Sequence, residues 1–142
     1  MHANLQAAKT LFNLNEYNDA VYILNSIKNI YFNNYDIYYN LSLCYFALNQ
    51  FDLSIERINQ AILLNSESAD AYFRLGLCYN SKKIYKQSLE AFKKCVKINP
   101  YNGTAHFELA KIYQLILNDE LAIKHYNIAK KTIDHPQLNY NI

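Results

Sequence analysis

Apolar residues recur three and four positions apart along most of the chain, which is the spacing of one face of an α-helix. Glycine and proline, which interrupt helices, each occur only twice. The spacing is regular between residues 72 and 96, where apolar or small residues stand at Tyr72, Leu75, Gly76, Tyr79, Ser88, Phe92, Cys95 and Val96. The pattern therefore predicts an all-α protein. Its helices are about 12–14 residues long and need neighbours to be stable.

The same pattern returns every 34 residues without insertion or deletion. Small residues form two columns at this spacing, namely Ala8, Ser42, Gly76 and Ala110, and Ala20, Ser54, Ser88 and Ala122. Large residues form others, such as Leu41, Leu75 and Leu109, and Leu24, Ile58, Phe92 and Tyr126. The sequence thus predicts one repeat domain over residues 1–136, made of repeats 1–34, 35–68, 69–102 and 103–136. Residues 137–142 are expected to begin a truncated fifth repeat or a capping helix.

Each repeat is predicted to hold two helices. The first helices are expected at 3–14, 36–48, 70–82 and 104–116, and the second at 17–30, 52–64, 86–98 and 120–132. Asn15 and Asn49 suit the left-handed backbone of a tight turn between the helices, and Pro100 ends a helix. Gly76 lowers helix propensity by about 1 kcal/mol relative to alanine, so we interpret it as a place where two helices approach closely.

These residues resemble a known family. Its spacing is carried by Tyr72, Leu75, Gly76, Tyr79, Tyr85, Phe92 and Pro100, which resemble the tetratricopeptide repeat. The resemblance covers residues 1–136 and implies a right-handed α-solenoid of four helix–turn–helix repeats. The sequence departs from the family pattern at Ser88 and Cys95, where alanine is usual, at Asp119, and at Asn4 and Ala7 in the first repeat.

The resemblance also implies a concave groove lined by the first helix of each repeat. The groove rows would be Leu5, Tyr39, Phe73 and Phe107, then Lys9, Leu43, Leu77 and Lys111, then Phe12, Phe46, Asn80 and Gln114. Such a groove is largely apolar and aromatic, which is typical of a surface that binds a partner. The alternative is that Tyr39, Phe73 and Phe107 belong to the core.

A well-known ligand mode of the family is a clamp for the acidic C-terminus of chaperones. Only Asn40 and Arg74 match the clamp residues here, and Asp70 would repel a carboxylate, so this mode is not expected. Asn40 can still hold a peptide backbone and Arg74 a carboxylate or carbonyl. Alternatively, both form a solvated polar patch with Asp36 or Asp70.

Composition and charge argue against several further classes of function. The net charge of +2 is too small to indicate a nucleic-acid partner, and no apolar run reaches the length of a membrane span. Cys44, Cys78 and Cys95 fit neither a disulfide framework nor a metal site, so reduced thiols in the cytoplasm are expected. The chain begins without the apolar stretch of a signal peptide.

No residue pattern supports catalysis or a cofactor. The histidines, His2, His106, His125 and His135, show no metal-ligand spacing, and no phosphate-binding loop or nucleophile motif occurs. Lysines concentrate on one predicted helix pair, at Lys82, Lys83, Lys86, Lys93, Lys94 and Lys97. This cluster is either a solvated face or a docking site for an acidic partner.

Two function classes remain. In the first, the chain is an interaction module of adaptor, scaffold or co-chaperone type, whose groove holds a peptide or helical segment of a partner protein. In the second, the repeats are structural and serve as a spacer or self-assemble through an uncapped C-terminal end.

Overall fold

The computed structural model describes residues 1–134, and within this range it contains eight helices and no strand. The helices are α1 (His2–Asn13), α2 (Tyr17–Lys28), α3 (Tyr35–Ala47), α4 (Phe51–Leu64), α5 (Ala69–Ser81), α6 (Tyr85–Ile98), α7 (Gly103–Leu115) and α8 (Asp119–Asp134). Successive helices pack as the pairs α1/α2, α3/α4, α5/α6 and α7/α8. The predicted all-α solenoid of helix–turn–helix repeats is therefore confirmed. Residues 137–142 lie outside the described part of the chain.

The first helix of each pair begins and ends one residue earlier than the sequence predicts. A side-chain cap explains the three later starts, because the residue before the helix accepts a hydrogen bond from the backbone N–H three positions on. The caps are Asn34 to Ile37 at 3.1 Å, Ser68 to Ala71 at 3.2 Å, and Asn102 to Ala105 at 3.0 Å. These polar residues fix where each repeat begins.

Within each pair, the turn between the helices uses one residue in the left-handed backbone region. The four residues are Asn15, Asn49, Lys83 and Leu117, with φ of 63°, 59°, 60° and 61°. The prediction for Asn15 and Asn49 is confirmed. Lys83 and Leu117 adopt the same conformation, although neither residue type favours it.

The chain divides into two compact units, Met1–Glu67 and Ser68–Ile142, which we call the N-terminal and C-terminal units. The core of the N-terminal unit contains Leu5, Ala8, Ala20, Leu24, Ile27, Ile37, Leu41, Cys44 and Tyr45. The core of the C-terminal unit contains Phe92, Cys95, Ala105, Leu109, Ile112, Tyr113 and Ala122. A single domain over residues 1–136 stays a prediction.

Gly76 is a close-approach site, as predicted. A Cβ atom built on Gly76 would lie 2.6–2.8 Å from ring carbons of Phe92, which is fully buried on α6. One turn away from Phe92, the Ser88 hydroxyl donates a 2.8 Å hydrogen bond to the Gly76 carbonyl. The same bond joins α4 to α3, where the Ser54 hydroxyl donates to the Ser42 carbonyl at 2.8 Å. Serine in place of alanine therefore ties the two helices of a pair together.

The three cysteines, Cys44, Cys78 and Cys95, are buried. Between residues 1 and 134, no helix has both the length and the apolar character needed to cross a membrane.

Candidate functional site

The C-terminal unit carries five of the predicted groove residues on α5 and α7, and we call these the aromatic face: Phe73, Arg74, Leu77, Phe107 and Lys111. Phe107 is the most exposed of the five, at 45% of its surface. Phe73 and Leu77 are half-buried and pack against the core of the unit. The sequence offered groove and core as alternatives, and Phe73 has features of both, whereas Phe107 is mainly a surface residue.

Two side chains contact the Phe107 ring. The Tyr126 ring of α8 meets it edge to face, with ring centres 5.7 Å apart. The Lys111 ammonium also contacts the ring, at 5.1 Å from its centre. Lys111 also forms a 3.0 Å ion pair with Glu108, so much of its charge is already compensated. The ring is thus ordered before any partner binds, which lowers the entropy cost of binding.

Phe107 also lines a cavity of about 590 Å³ between the start of α7 and the end of α8. Ile133 and Ala129 supply apolar walls, and Asn99, Asn102 and Thr104 supply polar groups. Ligand sites commonly combine an apolar wall with a few polar groups in this way. The cavity therefore extends the aromatic face into a concave surface.

Arg74 lies beside Phe73, with its guanidinium carbon 5.9 Å from the ring centre. Phe73 in turn contacts the buried Phe92, with ring centres 5.7 Å apart. The positive charge of Arg74 is therefore located at the edge of an apolar surface.

Leu5 was predicted to line the groove, but it lies in the core of the N-terminal unit. This residue is only 5% exposed and packs in the core with Ala8 and Leu24, so the prediction that it lines the groove is wrong. A leucine is shorter than the aromatic residues in the rest of its row, and its side chain ends inside the core cluster. Lys9, the next groove residue on α1, is half-buried.

The other predicted groove residues of the N-terminal unit are half-buried: Phe12, Tyr39, Asn40, Leu43 and Phe46. The Tyr39 ring lies nearly parallel to the Tyr35 ring at 5.6 Å, and Phe46 meets Phe51 edge to face at 5.3 Å. The Asn40 amide donates a 2.7 Å hydrogen bond to the backbone carbonyl of Asp36. Asn40 thus pairs with Asp36, as one of the two sequence interpretations proposed, but through the main chain.

Two histidines meet in the C-terminal unit, which the sequence analysis missed. His106 Nδ1 and His125 Nδ1 are 2.9 Å apart, and His106 Nε2 is 2.8 Å from the Pro100 carbonyl. Because that carbonyl can only accept, Nε2 of His106 donates to it. When both rings are neutral, His106 Nδ1 must therefore accept from His125. The sequence contained one signal of this contact. His106 occupies the column of the large residues Tyr38 and Tyr72, which indicates that its ring packs against other helices.

Burial governs the charge of this pair. Desolvation lowers the pKa of His106, and desolvation with the nearby His106 and Lys124 lowers the pKa of His125 to about 4. Both rings are therefore neutral at pH 7. In the part of the chain that the structure describes, no three His, Cys, Asp or Glu residues are grouped so that they could hold a metal ion.

Comparison with known proteins defines the class of this chain as a helix-pair repeat protein. Two family models described as tetratricopeptide repeat match this chain, one at residues 35–68 and the other at residues 69–102. These matches follow the repeats that the 34-residue period indicates. Residues 35–102 therefore carry two tetratricopeptide repeats, the pattern that the sequence resembles.

Solved structures of MamA resemble the whole described fold. A crystal structure of MamA has a TM-score of 0.91 at 26% identity and covers 96% of this chain and 80% of its own. A second MamA crystal structure has a TM-score of 0.86 at 26% identity, covering 94% and 75%. MamA 41-end from Desulfovibrio magneticus RS-1 has a TM-score of 0.84 at 21% identity, covering 90% and 72%. No curated protein sequence matches the chain significantly. Family and fold together define a repeat module for protein–protein interaction.

Proposed function

We propose that the aromatic face of the C-terminal unit binds an apolar segment of a partner protein. The observation that carries this proposal is Phe107, which is 45% exposed, contacts Tyr126 and Lys111, and lines a cavity of about 590 Å³. An ordered aromatic ring beside a concave apolar surface is typical of a binding hot spot. The chain would then act as an adaptor or scaffold.

The size of the surface supports moderate affinity. A well-buried apolar side chain contributes about 1.5–3 kcal/mol before ordering costs are subtracted. Two or three such side chains, one of them in the cavity beside Phe107, are enough for micromolar binding. Arg74 at the edge of the face would favour a segment with a carboxylate or a free carbonyl near its apolar residues.

Phe107→Ala tests this proposal, since its ring is the most exposed of the face. The matched control is Tyr22→Ala, because Tyr22 is 78% exposed on α2 and its column otherwise holds the charged residues Glu56, Glu90 and Lys124. Affinity capture with the wild-type chain and both variants, followed by mass spectrometry, identifies proteins that only Phe107→Ala loses. The segment responsible is then titrated as a synthetic peptide.

We expect Phe107→Ala to weaken peptide binding at least about tenfold and Tyr22→Ala to leave it within about twofold. Circular dichroism of both variants checks that the helices remain folded. Equal capture by all three proteins would contradict the proposal. Phe73→Ala is a less suitable test, because Phe73 contacts the buried Phe92 and its loss also lowers stability.

A second candidate function is self-association through α8. Two isoleucines on this helix are strongly exposed, Ile123 at 60% and Ile133 at 76%. These two side chains would supply apolar contacts of such an interface. Light scattering over a range of concentrations tests it, and a monomer at every concentration would rule it out. In either case we propose the cytoplasm as the location, supported by the buried cysteines Cys44 and Cys95, which form no disulfide.

A further inference from the structure

The N-terminal unit contains a largely buried arginine at a position that is apolar in two other repeats. Arg57 of α4 has a side chain that is only 15% exposed, and the residues 34 positions before and after it are Ile23 and Ala91. A buried guanidinium is costly unless its charge and its N–H groups are compensated. Arg57 therefore needs partners that its apolar counterparts do not need.

The compensation of Arg57 within the unit is incomplete. Its Nη1 donates a 2.7 Å hydrogen bond to the uncharged Gln60 Oε1, and lies 3.5 Å from Glu56 Oε1, whose side chain is 58% exposed. Among residues 1–134, the buried Nε of Arg57 has no hydrogen-bond partner. Nε and Nη2 share the edge of the guanidinium that can bind a carboxylate through two parallel hydrogen bonds. This edge thus contains a donor without an acceptor, which calls for a ligand or water.

A second cation lies near Arg57. Lys28, the last residue of α2, is half-buried, and burial together with the positive charge of Arg57 lowers its pKa, whereas Glu56 raises it. Because α3 packs against both α2 and α4, the two cations lie within the same compact unit.

The charge of this group indicates which anion fits. Two cations and the single carboxylate of Glu56 leave one positive charge in excess. A ligand carboxylate balances this charge, whereas a phosphate group, at about −1.5 to −2, exceeds it. The geometry of the Arg57 edge and the local charge therefore favour the same ligand group.

We propose that Arg57 and Lys28 form a binding site for a carboxylate of a partner protein, supplied by an aspartate or glutamate side chain. The carboxylate docks at the exposed part of the guanidinium, Arg57 turns so that Nη2 and Nε both donate to it, and Lys28 adds a charge-assisted contact. Such a charge pair helps to select a partner and its orientation. The site lies on second helices, whereas the chaperone-clamp matches Asn40 and Arg74 lie on first helices.

NMR titration of the full chain tests the proposal, because Arg57 and Arg74 are its only arginines and give two side-chain Nε–H signals. Arg57→Met removes one signal and so assigns both. The probes are sodium acetate, inorganic phosphate and two blocked tripeptides that differ only in a central glutamate or glutamine. Each is titrated at constant ionic strength, with chloride as the balancing anion.

The charge variant is Lys28→Met, which leaves the Arg57 signal in place. Its matched control is Lys130→Met, because Lys130 is exposed and occupies the column of Lys28 in the fourth repeat. We expect acetate and the glutamate peptide to shift the Arg57 signal saturably, at concentrations at least about tenfold lower than those that shift Arg74. Lys28→Met should weaken acetate binding at least about fivefold, and Lys130→Met should leave it within about twofold.

Four results would overturn the proposal. The absence of a saturable Arg57 shift would mean that water alone completes the contacts of this side chain. Equal effects of Lys28→Met and Lys130→Met would remove Lys28 from the site. Tighter binding of phosphate than of acetate would mean that the site takes a different anion. Equal binding of the two tripeptides, while acetate binds, would mean that it admits only a small carboxylate.

The site and the aromatic face can fail separately. Phe107 lies in the C-terminal unit, whereas Arg57 and Lys28 lie in the N-terminal unit. Phe107→Ala should therefore leave the acetate titration of the Arg57 signal unchanged.

Discussion

Gly76 and Phe92 meet where α5 and α6 approach, and this contact leaves no room for a Cβ atom. The nearest ring carbon of Phe92 would be 2.6 Å from it, and the ring is buried on all sides. Gly76→Ala raises helix propensity by about 1 kcal/mol but forces the ring to move, which typically costs about 1–3 kcal/mol. We expect Gly76→Ala to lower the free energy of unfolding by about 1 kcal/mol, and Gly76→Leu to lower it much further, in urea titrations followed by circular dichroism.

A double-mutant cycle tests whether Phe92 is the cause. In a Phe92→Leu background the ring is gone, so Gly76→Ala should become neutral or stabilising. If Gly76→Ala lowers the free energy of unfolding equally in both backgrounds, the clash with Phe92 is not the reason for glycine at this position.

The His106–His125 pair predicts a loss of stability at mildly acidic pH. The ordinary pKa of histidine is about 6.5, and in the folded protein the pKa of His125 is about 4. Between these values the unfolded chain binds more protons than the folded one. The stabilisation is therefore complete above pH 6.5 and is lost as the pH falls towards 4. We expect a loss of about 1–2 kcal/mol, less than the full shift implies because solvent screens a half-buried ring.

His125→Phe is the matched variant for this measurement. It keeps a ring against Tyr113, whose centre lies 5.5 Å from that of His125, and removes the titrating group. The variant should be less stable at pH 7, because His106 loses its hydrogen bond, but its stability should fall less between pH 7 and pH 4.5. A slope equal to that of the wild type would show that other groups cause the acid sensitivity.

At the scale of the helices, the turn between α7 and α8 contains a residue whose substitution should stabilise the fold. Leu117 adopts φ of 61°, a conformation that costs a non-glycine residue about 1–2 kcal/mol and that asparagine tolerates better. Its side chain is 87% exposed, so little packing is lost on substitution. We expect Leu117→Asn to raise the free energy of unfolding by about 0.5–1 kcal/mol. The reverse change at the equivalent turn, Asn15→Leu, should lower it, and a destabilising Leu117→Asn would contradict this account.

The helices were predictable from the sequence because each repeat carries the same local signals. The spacing of apolar residues identified the eight helices of residues 1–134, and the asparagines at 15 and 49 identified two turns. The first-helix starts were predicted one residue late, although the caps Asn34, Ser68 and Asn102 are readable signals. The left-handed backbone of Lys83 and Leu117 could not be predicted from residue type. Only their position in the repeat, which matches that of Asn15 and Asn49, indicates this conformation.

The candidate site was less predictable, because it depends on side-chain length and on contacts between helices. The column containing Leu5 was correctly placed on the helix, but the burial of each member follows from how far its side chain extends. The contact between His106 and His125 joins two helices and has no local signature. The repeat period could thus place each predicted groove row on its helix, while the exposure of individual residues could not be predicted. That these rows form a groove stays a prediction.

At the scale of the whole molecule, the reactivity of one cysteine in each compact unit can be used to measure the unfolding of that unit. Cys44 lies in the core of the N-terminal unit, and Cys95 lies in the core of the C-terminal unit. Burial raises the pKa of Cys44 to about 11, and burial with the nearby Asp70 raises that of Cys95 to about 12. At pH 8 both are therefore protonated as well as shielded, and the reactive thiolate is scarce.

We expect a thiol reagent at pH 8 to label these cysteines at least about a hundredfold more slowly in the folded chain than in urea, as measured by mass spectrometry of the intact chain and its peptides. Increasing urea should expose Cys44 when the core containing Leu24 and Leu41 opens, and Cys95 when the core around Phe92 opens. Different midpoints for the two cysteines would give the stability of each unit, and one shared midpoint would mean that the two cores unfold together. Rapid labelling of either cysteine without urea would contradict the burial on which both cores depend.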